Sequence, residues 1–127
     1  MTRFSALARI LIADDDPDYL DVFCEGMAAL GHSAVGVADG ATALARLRKD
    51  RFDMLFLDLV MAGGGAISLL HSVRALDADL PVVVITGQTD LLDTPLFRDG
   101  MRQAYAKLPK TASLGDLNSV VMSLAQP

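Results

Sequence analysis

With 127 residues, 52% of them hydrophobic, the chain has the size of one domain and enough apolar residues for a real core. Its formal net charge of −5 argues against the basic stripe that neutralises phosphates, so no nucleic-acid partner is expected. A single cysteine, Cys24, excludes an internal disulfide, and no apolar run approaches the roughly 18 residues of a membrane span, so no membrane partner is expected.

The N-terminal stretch reaches the acidic triplet Asp14-Asp15-Asp16 too soon for a secretory leader, which predicts a cytoplasmic protein. Arg9 to Ala13 is short and apolar and reads as a buried strand. Asp16 and Pro17 then supply a helix N-cap and a first-turn proline. Tyr19, Leu20, Phe23, Met27 and Leu30 follow at helical spacing until Gly31 stops the helix. His32 to Val37 predicts a second strand, and Ala41, Leu44 and Leu47 mark a second helix. The basic cluster Arg46, Arg48, Lys49 and Arg51 reads as its solvated C-terminal end.

Met54 to Leu59 predicts a third strand, apolar on both faces, as in a parallel sheet covered on both sides. Ile67, Leu70, Val73 and Leu76 line a third helix. Pro81 opens a fourth strand that ends at Thr86. A short fourth helix is expected within residues 90–99, where Pro95 interrupts the pattern. Gln103 to Lys107 predicts a fifth strand, and Ser113 caps a last helix carrying Leu114, Leu117, Val121 and Leu124. Strands and helices alternating in this way call for a parallel sheet with helices on both faces. Ligands of such sheets bind beyond the carboxyl ends of the strands.

Those ends carry Asp14, Asp15 and Asp16 after the first strand, Asp58 on the third, Thr86 on the fourth and Lys107 on the fifth. Singly, most have a plain structural explanation: Asp16 caps a helix, Asp14 and Asp15 favour a helix N-terminus, and Thr86 caps a turn. Asp58 is the exception, because a carboxylate ending so apolar a strand is costly unless paired or metal-bound. Together the carboxylates repel one another and call for a cation. With no histidine or cysteine nearby, a hard oxygen-seeking ion fits, and Mg²⁺ fits best. The Thr86 hydroxyl and the Lys107 ammonium are then placed to stabilise phosphoryl oxygens.

The segments ILIADDDPDYL, FDMLFLDLVM and VVVITG, in this order and spacing, resemble the receiver domains of two-component response regulators, and the likeness runs from Arg9 to Leu124. The resemblance implies an α/β, flavodoxin-like (βα)5 fold with strand order 2-1-3-4-5. It implies that Asp58 is the phosphoacceptor, Asp15 a direct Mg²⁺ ligand and Asp14 the holder of metal-bound water. The backbone carbonyl of Val60 would complete the protein's share of the metal shell, and Thr86 would be a switch hydroxyl. Val60 and Gln88, two residues after Asp58 and Thr86, border the site. The expected partner is a sensor histidine kinase or histidine phosphotransfer protein. The downstream protein target is not named by any residue. Residues 1–127 read as a single receiver, core 9–124, with no output domain, acting as a monomer or weak dimer.

Two departures from the family pattern stand out. Ala62 replaces a proline after the phosphoacceptor, and Gly65-Ala66 replaces Asp-Gly, which reads as a loosened turn. The usual Lys-Pro ending is Lys107-Leu108-Pro109-Lys110. An ungapped count from Thr86 puts Leu108 at the lysine position and Tyr105 at the aromatic switch position. A one-residue deletion before Gly100 puts Lys107 and Ala104 there instead. Lys107 is expected to be the site lysine, with Lys110 as its substitute. His32 and His71 read as surface or boundary residues.

Three functions compete. The first is a phosphoryl-accepting signalling module. The second is a pseudo-receiver that binds proteins without phosphorylation, supported by the irregular loop and the Leu-Pro ending. The third, a flavodoxin-like nucleotide carrier, needs a phosphate-cradling loop where this chain has three aspartates.

Overall fold

The computed structural model describes residues 7–61, 66–87 and 106–125. Along them run β1 (Arg9–Ala13), α1 (Pro17–Ala29), β2 (Ser33–Val37), α2 (Gly40–Lys49), β3 (Met54–Asp58), α3 (Ala66–Leu76), β4 (Val82–Thr86), β5 (Ala106–Pro109) and a C-terminal helix (Leu114–Leu124). All strand pairs are parallel, in the expected order β2-β1-β3-β4-β5. The helix expected within 90–99 lies outside the described residues, as do Ala62 to Gly65, Gln88, Gly100, Ala104 and Tyr105. No helix among the described residues is long and apolar enough to cross a membrane.

Every residue of β3 and β4 is buried, because helices cover both faces of the sheet. Strand side chains alternate, so each strand feeds two cores. Leu11, Ala13, Leu55, Leu57, Val82 and Val84 pack with Ala43 of α2 and Leu70 and Val73 of α3. Ile10, Ile12, Met54, Phe56, Val83 and Ile85 pack with Phe23 and Met27 of α1 and Leu117 and Val121 of the C-terminal helix. On α2 the buried alanine is Ala43, while Ala41 faces solvent.

α1 begins as its sequence dictates. The Asp16 carboxylate accepts the Asp18 and Tyr19 N–H groups, at 3.0 and 3.3 Å, and Pro17 occupies the first turn. It ends at Gly31, whose φ of +95° is a left-handed conformation that a Cβ disfavours. Gly31→Ala is therefore expected to cost about 1–2 kcal/mol of stability, readable as a lower denaturation midpoint.

Two expectations need correcting. His32 precedes β2 and is buried, not at the surface; its Nε2 lies 2.7 Å from the Asn118 Oδ1 of the C-terminal helix. The fifth strand does not stop at Lys107. Pairing continues through Ile85↔Leu108 to Thr86↔Pro109. A proline is tolerated there because β5 is an edge strand and Pro109 is its last residue.

Candidate functional site

The carboxyl ends of β1, β3, β4 and β5 meet at one edge of the sheet. Asp14 follows β1, held by its N–H to the Val37 carbonyl at 3.0 Å. Asp58 is the last residue of β3 and is 3% exposed, and Asp14 is fully buried. Asp15 is exposed beside them. Asp14, Asp15 and Asp58 each offer a carboxylate oxygen within 4.8 Å of the others. Asp16 has gone to cap α1, as its plainer explanation holds.

The local chain folds these groups inward. One Asp58 oxygen, Oδ1, accepts the Val60 N–H at 3.1 Å, and Asp14 Oδ1 accepts the Asp16 N–H at 2.9 Å. In each carboxylate the second oxygen, Oδ2, is left to face a cation. Asp14 Oδ2 is buried and has no partner in hydrogen-bond geometry among the described residues. A set of hard oxygens, two of them buried, with no nitrogen or sulfur ligand in the group, fits Mg²⁺.

The protein's own cation comes from Lys110. Its Nζ lies 2.7 Å from Asp14 Oδ2 and 3.4 Å from Asp58 Oδ2, both within ion-pair range. Lys107, expected in this place, is exposed on β5. The reason is the alternation of the strand. Ala106 and Leu108 pack against the α1 side, so Lys107 points to the other face. Lys110 returns to the parity of Leu108, and its N–H is held by the Thr86 carbonyl at 2.9 Å. Leu108 does not displace the lysine; it fills the core.

Thr86 ends β4 fully buried, one residue past Ile85, the register partner of Asp58. Val60 is 44% exposed, at the open side of the site. A residue with no role in the sequence reading beyond the core also joins the site. The Tyr19 ring of α1 lies 4.8 Å from Lys110 Nζ.

The charges are strained. Burial, and then the neighbouring Asp14 carboxylate, push the Asp58 pKa up to about 6, against the Val60 N–H and Lys110, which pull it down. Burial alone would lower the Lys110 pKa, but the Asp14 and Asp58 carboxylates outweigh it and hold it above the ordinary lysine value. The arrangement is thus an anionic pocket of three carboxylates, partly neutralised by the Lys110 ammonium.

The sequence model of the response regulator receiver domain matches residues 10–121, and this chain belongs to that family. It is 32% identical over 101 residues to the DNA-binding response regulator MtrA of Mycolicibacterium smegmatis, a match that covers 80% of this chain and 44% of MtrA. The chain therefore spans less than half the length of that relative. Two solved structures share the fold. One is a CheY-like response regulator receiver domain protein from Methanospirillum hungatei, 21% identical over 94% of each chain, with a TM-score of 0.85. The other is the response regulator protein TrrA from Thermotoga maritima in complex with Mg²⁺-BeF, 21% identical over 92% of this chain and 98% of that one, with a TM-score of 0.79.

MtrA overturns one expectation. The acidic balance predicts no nucleic-acid partner, yet this relative is a DNA-binding regulator. The charge argument speaks only for the surface of the matched segment, and more than half of MtrA lies outside it.

Proposed function

We propose that this chain accepts a phosphoryl group on Asp58 as the receiver of a two-component regulator. The observation that carries this reading is the buried Asp58 carboxylate, with its Oδ2 3.4 Å from Lys110 and two further aspartates within 4.8 Å. An ionised Asp58 oxygen attacks the phosphorus of a phosphohistidine on a partner protein, or of a small phosphodonor. A P–O bond to Asp58 forms as the donor's bond to phosphorus breaks, and the leaving group keeps that electron pair. Lys110 offers its ammonium to the phosphoryl oxygens, and the Thr86 hydroxyl turns towards them. The ordered product then favours one of two surface conformations.

Asp15 would hold Mg²⁺ directly and Asp14 through water, with Asp58 and the Val60 carbonyl completing the protein ligands. When bound, the ion supplies charge neutralisation and an anchor for phosphoryl oxygen. TrrA, which shares this fold and was solved with Mg²⁺-BeF, supports Mg²⁺ as the ion. Residues 9–124 form the receiver core in this reading. Because MtrA is a DNA-binding regulator, the reading includes a nucleic-acid target reached through a segment or partner outside residues 10–121. The pseudo-receiver alternative loses one support, since the Leu-Pro ending does deliver a lysine to the site.

The test is intact mass after incubation with a small phosphodonor and Mg²⁺. The wild type gains one phosphoryl group, and Asp58→Asn or added chelator abolishes the gain. A wild type that stays unmodified, beside a receiver that is labelled, contradicts the proposal. Because Asp58 holds its proton up to a pH of about 6, Mg²⁺ affinity measured by titration falls steeply below that pH.

A further inference from the structure

Lys110 lies one residue beyond the last residue of β5, where its N–H is still bonded to the Thr86 carbonyl at 2.9 Å, but its side chain has no such backbone tie. Its side chain is long and flexible, and holding it in one place costs conformational entropy. Asp14 and Asp58 grip the ammonium from one side. From another, the Tyr19 ring stands 4.8 Å away. An aromatic face attracts a cation, and does so more strongly where water is excluded. Tyr19 does not stand alone. Its ring meets Phe23 at a centroid distance of 6.2 Å, and Phe23 meets Phe56 at 4.9 Å. Phe56 lies on β3 two residues before Asp58. This chain of tilted ring contacts links the ring beside Lys110 to the strand that carries Asp58. The Tyr19 hydroxyl contributes nothing comparable: it is buried and has no hydrogen-bond partner among the described residues.

We infer that Tyr19 is a positioning residue, whose ring face holds the Lys110 ammonium against Asp14 and Asp58 for phosphoryl transfer. The inference rests on the phosphoacceptor reading of Asp58. It makes the ring, not the hydroxyl, the working part, and it makes the effect of Tyr19 depend on Lys110.

Initial rates of phosphoryl uptake from a small phosphodonor at saturating Mg²⁺ test it. Tyr19→Leu is expected to slow uptake about threefold to thirtyfold, the range of one cation–π contact. Tyr19→Phe, which keeps the ring, recovers most of that loss. In a Lys110→Met background, Tyr19→Leu has no further effect. A purely packing role would slow both backgrounds alike, and that result overturns the inference, as does a Tyr19→Leu protein as fast as the wild type. A wild type that takes up no phosphoryl group overturns the phosphoacceptor reading itself, and this inference with it. Should Tyr19→Leu fail to fold, fluorinated phenylalanines at position 19 keep the shape and weaken the ring face. Their rates must then fall with each added fluorine, and a flat series overturns the inference.

Discussion

Lys110→Met is expected to take up a phosphoryl group about a hundredfold more slowly than the wild type, the effect of removing one oriented donor from a charged transition state. Lys107→Met is expected to keep the wild-type rate. The two lysines are three residues apart, but only Lys110 lies within 3.4 Å of Asp58 Oδ2, while Lys107 faces solvent. Removing Lys110 also leaves the buried Asp14 and Asp58 uncompensated, which destabilises the fold. The rates are therefore compared at saturating Mg²⁺, where the ion neutralises the same carboxylates, and thermal unfolding confirms that each variant is folded. A slow Lys107→Met with an unaffected Lys110→Met would refute the lysine assignment.

Asp58→Asn is expected to unfold several degrees above the wild type in metal-free buffer at pH 7. The Asp58 pKa is raised from 3.8 to about 6 in the folded state. Between those values the folded protein holds a proton that the unfolded chain has released. Stability from this group is therefore greatest at low pH, falls as pH rises through that window, and is lowest above it. At pH 7 the ionised carboxylate costs about 1–3 kcal/mol, and the asparagine removes that cost while keeping the oxygen that accepts the Val60 N–H. Mg²⁺ is expected to narrow or reverse the order, since on the proposed reading it binds the folded wild type and stabilises it by mass action. Thermal melts of both proteins at pH 5 and pH 7, with and without Mg²⁺, check this. Equal melting temperatures at pH 7 without metal would contradict it.

Much of this protein is legible in its sequence. The runs that begin at Arg9, Met54 and Val82 are apolar, short and closed by polar residues; Arg9–Ala13 is a strand with the expected bounds, the run expected from Met54 to Leu59 ends one residue sooner at Asp58, and the one that Pro81 opens spans Val82–Thr86. A strand buried on both faces has no other reading compatible with its length. Asp14, Asp15 and Asp58 stand out for the same reason, since carboxylates at the ends of such strands need a cation. The lysine is harder, because motif counting gives two registers and neither is the one adopted. Parity carries the missing information. Leu108 must enter the core, which turns Lys107 outward and brings Lys110 back to the side of Asp14 and Asp58. Tyr19 is invisible as a site residue because its helical spacing with Phe23 explains it fully as core. Its contact with Lys110 joins residues 91 positions apart, which periodicity does not report. The nucleic-acid expectation fails for a different reason: net charge describes a surface, and a regulator's target need not touch the receiver surface.

On the proposed reading Asp58 carries the phosphoryl group. The most direct measurement is peptide mapping by mass spectrometry of the wild type after a phosphodonor and Mg²⁺, with the acyl phosphate trapped chemically before digestion. The modification is expected on Asp58 alone. A modification on Asp14, Asp15 or any other residue, or none on a folded protein that binds Mg²⁺, would contradict the account.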